Sequence, residues 1–239
     1  MKKMMLTMAM MLAAVAMQAK TLIVYYSYTN NVERIVNDLQ GLIDADVVEI
    51  EPAEKGLDYA ADNYIGSAQI SAIRNNPDDA SSYPAIDPVD VNLADYDCII
   101  IGAPLWWSSM AAPLQTYLFH HGPEMAGKNI GLIVSSASSG ISGVEADAKR
   151  LVPGGNFLSP NLWIRSSQTS SAKSMLENWL EAIGYAHLTA GIGAVEADAP
   201  DRYTAYSLSG VRVLAEAESV GSLPGGLYII NGKKTIISK

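Results

Sequence analysis

The sequence predicts an α/β protein, with a five-stranded parallel sheet between helices on both sides and a small C-terminal β appendage. Three observations predict it. Short runs of β-branched, aliphatic and aromatic residues alternate with segments of helical period from Thr21 to Ile183, which is the pattern of a parallel sheet covered by helices. Of the 239 residues, 49% are hydrophobic, enough for a sizeable core and against disorder as the default. From Tyr185 the character changes to a punctuated linker, and after Tyr203 no helical period is apparent and short strand-like runs alternate with turns.

The first residues stand apart from the fold. Lys2 and Lys3 form a basic n-region, Met4–Val15 is apolar apart from Thr7, and small residues follow at Ala14, Ala16 and Ala19. This is the pattern of a secretory signal peptide, too short for a spanning helix. Cleavage after Ala16 satisfies Ala-x-Ala through Ala14; cleavage after Ala19, with Met17 at −3, leaves the first strand immediately downstream and is preferred here. The expected organisation is a signal peptide over 1–19, a main domain over 20–185, a linker over 186–202 and a β tail over 203–239. The mature chain is expected to be exported, to the periplasm, the cell surface or the medium, with no stable membrane insertion.

Formal charge is −9, two units more negative once Lys2 and Lys3 are removed. Such a balance argues against nucleic-acid binding, which needs cationic patches on phosphates. It suits steering toward a basic partner protein. With one cysteine, Cys98, no intramolecular disulfide and no Cys-rich metal site can form. Its place in the apolar run Cys98–Ile101 marks it as a small buried hydrophobe.

Thr21–Tyr26 reads as the first buried strand. Ser27, Tyr28, Thr29, Asn30 and Asn31 form a polar loop, and Val32, Ile35, Val36 and Leu39 then recur at helical spacing. A loop rich in hydroxyl and amide groups at the positive end of a helix suits a phosphate. The same residues also suit an ordinary capped strand-to-helix turn. Asp46–Ile50 is the second strand. Glu51–Pro88 is the least regular stretch, with a helix expected over Tyr59–Arg74. Cys98–Gly102 is the third strand, Ala103–Met110 a loop and Pro113–His121 a helix. Ile130–Val134 is the fourth strand, Ser135–Gly143 a loop of small residues and Val144–Leu151 a helix. Phe157–Ile164, interrupted by Pro160, carries the fifth strand, and Ala172–Ile183 the last helix.

In the tail, Tyr203–Leu208, Val211–Leu214, Gly226–Ile230 and Thr235–Ser238 are candidate strands. Asn231-Gly232 between two apolar runs is a strong hairpin signal.

Ligands of such sheets bind beyond the carboxyl ends of the strands, where the strand order reverses. Three loops belong there: Ser27–Asn31, Ala103–Met110 and Ser135–Gly143. The second carries Trp106 and Trp107, whose flat faces suit stacking on a heteroaromatic ring or covering the core edge. The third, with Ser136, Ser138, Ser139, Gly140 and Ile141, is small enough for backbone N–H groups to approach a ligand, and equally for a plain connection.

Together these loops resemble flavodoxin-like FMN proteins. Ser27-Tyr28-Thr29-Asn30-Asn31-Val32 is similar to the Ser-x-Thr-Gly-Asn-Thr phosphate loop, and Pro104-Leu105-Trp106-Trp107 to the Pro-x-Trp-Trp stretch of a secreted or long-insert subgroup. Ser136–Ile141 resembles that subgroup's Thr-Ser-Gly-Gly-Ser-Gly-Ile loop, and Ala80–Ile86 a segment it carries before its third strand. The resemblance implies the flavodoxin three-layer sandwich over about 21–184. It also implies non-covalent FMN, with Ser27, Thr29 and Asn31 on the phosphate, Trp106 or Trp107 flanking the isoalloxazine, and Ser138–Ile141 at its other edge. This chain departs from the pattern at Asn30, Val32 and Ser108, where the family has Gly, Thr and Gly. Electron transfer with an unknown redox partner protein is the implied activity. The alternatives are an FMN-dependent NAD(P)H:quinone-type reductase, or a fold that has lost FMN and serves as a binding module.

The tail resembles C-terminal sorting domains of type IX secretion substrates. Tyr206–Val213 matches their Tyr-x-Leu-x-Gly-x-x-Val opening, and Gly226-Leu227-Tyr228 their closing Gly-(Ile/Leu)-Tyr element. A structural β extension is the other reading. His120-His121 lacks partner spacing for a metal, and Glu145 and Asp147 read as solvated carboxylates. No nucleophile elbow, carboxylate pair or zinc motif is present.

Overall fold

Residues 19–59, 65–189, 203–208, 210–217, 220 and 222–237 are described by a computed structural model. All of the expected signal peptide except Ala19 lies outside these residues, as does Tyr64 of the helix expected over Tyr59–Arg74. The chain divides into two compact units at Gly193–Ala194.

In the first unit, β1 (Thr21–Tyr25) lies between β2 (Asp46–Glu49) and β3 (Cys98–Trp106), and β5 (Asn129–Ser136) flanks β3 on its other side. All these pairs are parallel. The sheet ends in two short segments, β6 (Asn156–Phe157) and β7 (Leu162–Arg165), each paired parallel to β5. The single fifth strand expected over Phe157–Ile164 is thus divided, because Pro160 has no N–H for the ladder. The order β2-β1-β3-β5 followed by the divided strand is doubly wound, with its reversal between β1 and β3.

Successive side chains face opposite sides, so each strand feeds two cores. Leu22, Val24, Ile99, Ile101, Ile130, Leu132 and Val134 pack under α2 (Ile65–Asn75), α3 (Ala112–His121) and α4 (Ser142–Leu151). Ile23, Tyr25, Cys98, Ile100 and Ile133 face α1 (Asn31–Gln40) and α5 (Ala172–Ala182). Val32, Ile35, Val36 and Leu39 of α1 are all buried, as their spacing requires. This is the α/β architecture expected from the sequence.

Two expected loops are shorter than their sequences suggest. Ala103–Met110 is mostly strand: β3 runs on through Trp106, turns at Trp107-Ser108 and returns as β4 (Ser109–Met110), with Trp106 opposite Ser109 and Leu105 opposite Met110. Ser135–Gly143 loses two residues to β5 and two to α4. The expected linker opens with a short helix, α6 (Tyr185–Thr189), and the Tyr185 hydroxyl lies 2.8 Å from Thr21 Oγ1. Among the described residues, no helix is long and apolar enough to cross a membrane.

The second unit contains a four-stranded antiparallel sheet. Its strands are β8 (Tyr203–Ser207), β9 (Arg212–Ala217), β10 (Gly226–Ile230) and β11 (Lys233–Ile237), in the order β11-β10-β8-β9. Ala205, Leu223 and Ile230 are buried at its centre. Asn231 and Gly232 join β10 to β11 with φ of 48° and 81°. That is the type I′ hairpin geometry their sequence announces.

Candidate functional site

The carboxyl ends of β1, β3, β5 and β7 converge on one hollow of about 110 Å³. After β1, Ser27, Tyr28, Thr29, Asn31 and Val32 line it; from the end of β3 come Pro104, Leu105 and Trp106; from β5, Ser135, Ser136 and Ala137; and after β7, Ser166. The three predicted loops do meet at one place, the topological reversal of the sheet. Of the candidates, Asn30, Trp107, Ser108, Ser138, Ser139, Gly140 and Ile141 do not line the hollow.

The first loop offers donors that an anion could use. Asn30 precedes α1 with φ 59° and ψ 9°, and its side chain makes no capping bond. After Gly, Asn is enriched in this left-handed conformation, so Asn30 can hold this turn although the resembling motif has glycine here. Ser27 Oγ accepts the Glu33 N–H at 3.2 Å, and Thr29 Oγ1 accepts from Asn31 Nδ2 at 3.0 Å. Both hydroxyls therefore act as acceptors and keep their hydrogens free to donate. The N-terminal N–H groups of α1 add the positive end of the helix dipole. Hydroxyls and backbone N–H groups form this donor set, and among the described residues no lysine or arginine lines the hollow.

Val32 lines the hollow but offers no polar group to it. It is buried against Gly102, where an added Cβ would lie 3.1 Å from Val32 Cγ1 and 3.0 Å from Tyr25 Cβ. Glycine at 102 thus lets α1 sit close on the sheet and brings the helix N-terminus to the strand ends. In the third loop, Ser136 is committed to internal bonds. It accepts from Trp163 Nε1 at 2.8 Å and donates to the Gly140 carbonyl at 3.3 Å.

The tryptophans divide. Trp106 lines the hollow and sits in an aromatic wall. Its ring lies 4.7 Å from that of Tyr59 at 36°, and edge-on to Tyr26 at 5.5 Å and Tyr28 at 6.2 Å. Trp107 lies on the far side of the turn, 44% exposed. It covers Gly66 of α2, where a Cβ would stand 2.5 Å from Trp107 Cζ3. Tyr28 is steadied by its hydroxyl donating to Asp58 Oδ1 at 2.7 Å.

Sequence reasoning missed Ser166, Tyr59, Asp58, Gly66 and Arg74. Ser166 became visible only once the fifth strand was known to end at Arg165. The other four come from the stretch between β2 and β3: Asp58 lies just before the helix expected over Tyr59–Arg74, and Tyr59, Gly66 and Arg74 lie within it, where the period marks a core face and not a partner for the hollow. Burial holds the Tyr59 and Tyr26 phenols neutral, pushing both up from their ordinary value. Neither is poised as an acid or base near neutral pH. Among the described residues no cluster of three or more His, Cys, Asp or Glu is arranged for a metal ion.

This geometry is that of a doubly wound α/β protein with an anion cradle and an aromatic wall at its switch point. The flavodoxin family model matches residues 20–183, and the chain belongs to that family. Among solved structures, a presumed flavoprotein from Bacteroides uniformis is 27% identical, covers 66% of this chain and 98% of its own, and superposes with a TM-score of 0.53. A presumed flavoprotein from Bacteroides eggerthii is 22% identical, with 70% and 98% covered and a TM-score of 0.56. A Lactobacillus acidophilus flavoprotein solved in complex with FMN is 22% identical, with 65% and 99% covered and a TM-score of 0.51.

Proposed function

We propose that this protein binds FMN non-covalently and carries electrons to and from a partner protein. One observation carries the reading: the hydroxyl-rich loop at the start of α1 and the Trp106 wall share a single hollow at the switch point. Ser27, Thr29 and the N–H groups around Asn31 would hold the phosphate, with Ser166 beside them. Trp106 would flank the ring, and Ser135–Ala137 would meet the ligand from the β5 side. FMN supplies the redox chemistry, and the protein sets its orientation, access and potential. No side chain at the hollow needs to act as an acid or base in that role. FMN in a structure of a flavoprotein similar in fold supports this assignment.

The acidic composition supports a basic partner, since complementary charge speeds encounter. The sequence pattern over 1–19 supports export, and the tail over 203–239 reads as its sorting element. Deleting Tyr203–Lys239 should change where the protein accumulates, and an unchanged location would refute the sorting role.

Titration of the mature protein with FMN, followed by tryptophan quenching and flavin absorbance, tests the central reading. Saturable binding is expected, weakened about tenfold to a hundredfold by Thr29→Ala if a charge-assisted bond to phosphate is lost. No uptake at high micromolar FMN would overturn the assignment. Steady NAD(P)H oxidation with a quinone acceptor would replace the carrier reading with a reductase.

A further inference from the structure

The turn that ends the Trp106 strand is unusual. Trp107 and Ser108 take φ of 43° and 61°, two consecutive left-handed residues of which neither is Gly, Asn or Asp. The same hairpin geometry is made in the C-terminal sheet by Asn231-Gly232. Left-handed conformation at such residues is unfavourable and persists only where the surroundings enforce it.

The enforcement is visible on both sides. From the last turn of α2, Arg74 Nη2 donates to the Trp107 carbonyl and, at 2.8 Å, to Ser109 Oγ, which Nε also reaches at 3.2 Å. One guanidinium therefore spans the turn, from its first residue to the buried first residue of β4. From α4, the Gly143 backbone lies against the Ser108 carbonyl, and Asp147 Oδ2 accepts the Met110 N–H at 2.9 Å. Trp106 is the residue immediately before the turn, so the conformation of the turn fixes its registration in the aromatic wall.

We propose that Arg74 is a positioning residue for the hollow. It holds the Trp107-Ser108 turn in its left-handed geometry, and through the turn it sets the Trp106 face that a ligand meets. Its consequence for affinity rests on the FMN reading; its consequence for the tryptophan pair does not. Trp106 and Trp107 stand 6.4 Å apart with planes at 81°, close enough for their transitions to couple and to give a signature in circular dichroism.

The test is a double-mutant cycle on the full mature chain. Circular dichroism in the indole bands and FMN titration are measured for wild type, Arg74→Gln, Ser108→Gly and the double variant. In the wild-type background, Arg74→Gln should reduce the coupled indole signal and weaken FMN binding by about tenfold. In the Ser108→Gly background, where glycine adopts positive φ at no steric cost, the same change should shift affinity by no more than about twofold and leave the indole signal in place. An unaltered signal in Arg74→Gln, or a loss equally large in both backgrounds, would overturn the proposal. If Arg74→Gln does not fold, Arg74→Lys carries the same comparison, since it keeps the charge and loses the two-armed contact. If no variant takes up FMN while the indole signal follows the cycle, the FMN reading falls and the positioning role stands.

Discussion

Gly143→Ala should be strongly damaging for a single added methyl. Gly143 is the second residue of α4, and a Cβ there would lie 1.8 Å from the Ser108 carbonyl oxygen and 2.8 Å from its carbon. Carbon–oxygen contacts close at about 3.3 Å, so helix and turn must part by roughly 1.5 Å, with backbone on both sides and nothing to swing away. Two effects oppose each other. Alanine improves helix propensity by about 0.8–1.0 kcal/mol over glycine. Overpacking costs about 1–3 kcal/mol, occasionally more, and parting α4 from the turn also endangers the Asp147–Met110 hydrogen bond, a further ~1.5–3 kcal/mol because its acceptor is charged. The clash wins, with a net loss of about 3 kcal/mol and a fall in Tm of about 6–12 °C. Equilibrium urea unfolding followed by tryptophan fluorescence measures it. Gly66→Ala is the control, because its obstacle is the far end of the half-exposed Trp107 side chain, and its cost should stay below about 1.5 kcal/mol. Stability of Gly143→Ala within about 0.5 kcal/mol of wild type would refute the turn-against-helix geometry.

Removing the Ser27 hydroxyl with Ser27→Ala leaves the Glu33 N–H without its acceptor. The expected cost is about 0.5–2 kcal/mol by thermal unfolding, together with weaker FMN binding. Alkaline pH should destabilise the fold. Burial pushes the Tyr96 and Tyr117 phenols up to about 12 and the Cys98 thiol up to about 11. The native state thus keeps protons that the unfolded chain releases from about pH 9 upward, so stability is present below that pH and drains away as pH rises through 11 and 12. Unfolding midpoints and phenolate absorbance measured together should show late tyrosines ionising only as the protein unfolds. Glu49 bears on the acid side. Burial raises its carboxyl above the usual value despite the Tyr25 hydroxyl that donates to it at 3.0 Å. Ionising it therefore costs stability as pH rises through the carboxylate range, and Glu49→Gln should be more stable than wild type at neutral pH in urea titrations.

What could be read from the sequence is what local rules decide. The strand runs are buried because successive residues face two cores, and the face Val32-Ile35-Val36-Leu39 follows from helical period alone. The placing of three loops at one sheet edge follows from the alternation of strands and helices, and the Asn231-Gly232 hairpin from turn chemistry. The Trp107-Ser108 hairpin was not readable, because its residues are poor choices for positive φ and the contacts enforcing it come from Arg74 and Gly143, both distant in sequence. Tyr59 and Asp58 reach Trp106 and Tyr28 from ahead of α2, at and beyond the edge of the helix expected over Tyr59–Arg74, and no pattern announces those long-range contacts. Where long-range contacts override local preference, the sequence reading fails, and here that failure falls beside the candidate site.

Trp106 illustrates why that matters for testing the site. Its ring is held by Tyr26, Tyr28 and Tyr59, so Trp106→Ala removes wall packing as well as any ligand contact, and large aromatic-to-alanine changes cost about 3–5 kcal/mol. Lost FMN binding in that variant would not separate the two roles. Trp106→Phe does, because it keeps an apolar ring in the wall and gives up part of the flat face. If Trp106 stacks on the flavin, Trp106→Phe should weaken binding by several-fold while changing stability by less than about 1.5 kcal/mol. Tyr59→Phe probes the opposite side. The Tyr59 hydroxyl is buried without a hydrogen bond of normal geometry among the described residues, with the Gln69 side chain close enough to oppose the upward push of burial on the phenol, so its removal should change stability by no more than about 1 kcal/mol. A clear destabilisation by Tyr59→Phe in urea titrations would mean that this hydroxyl is bonded in solution. A Trp106→Phe variant that binds FMN as tightly as wild type would make Trp106 part of the wall only.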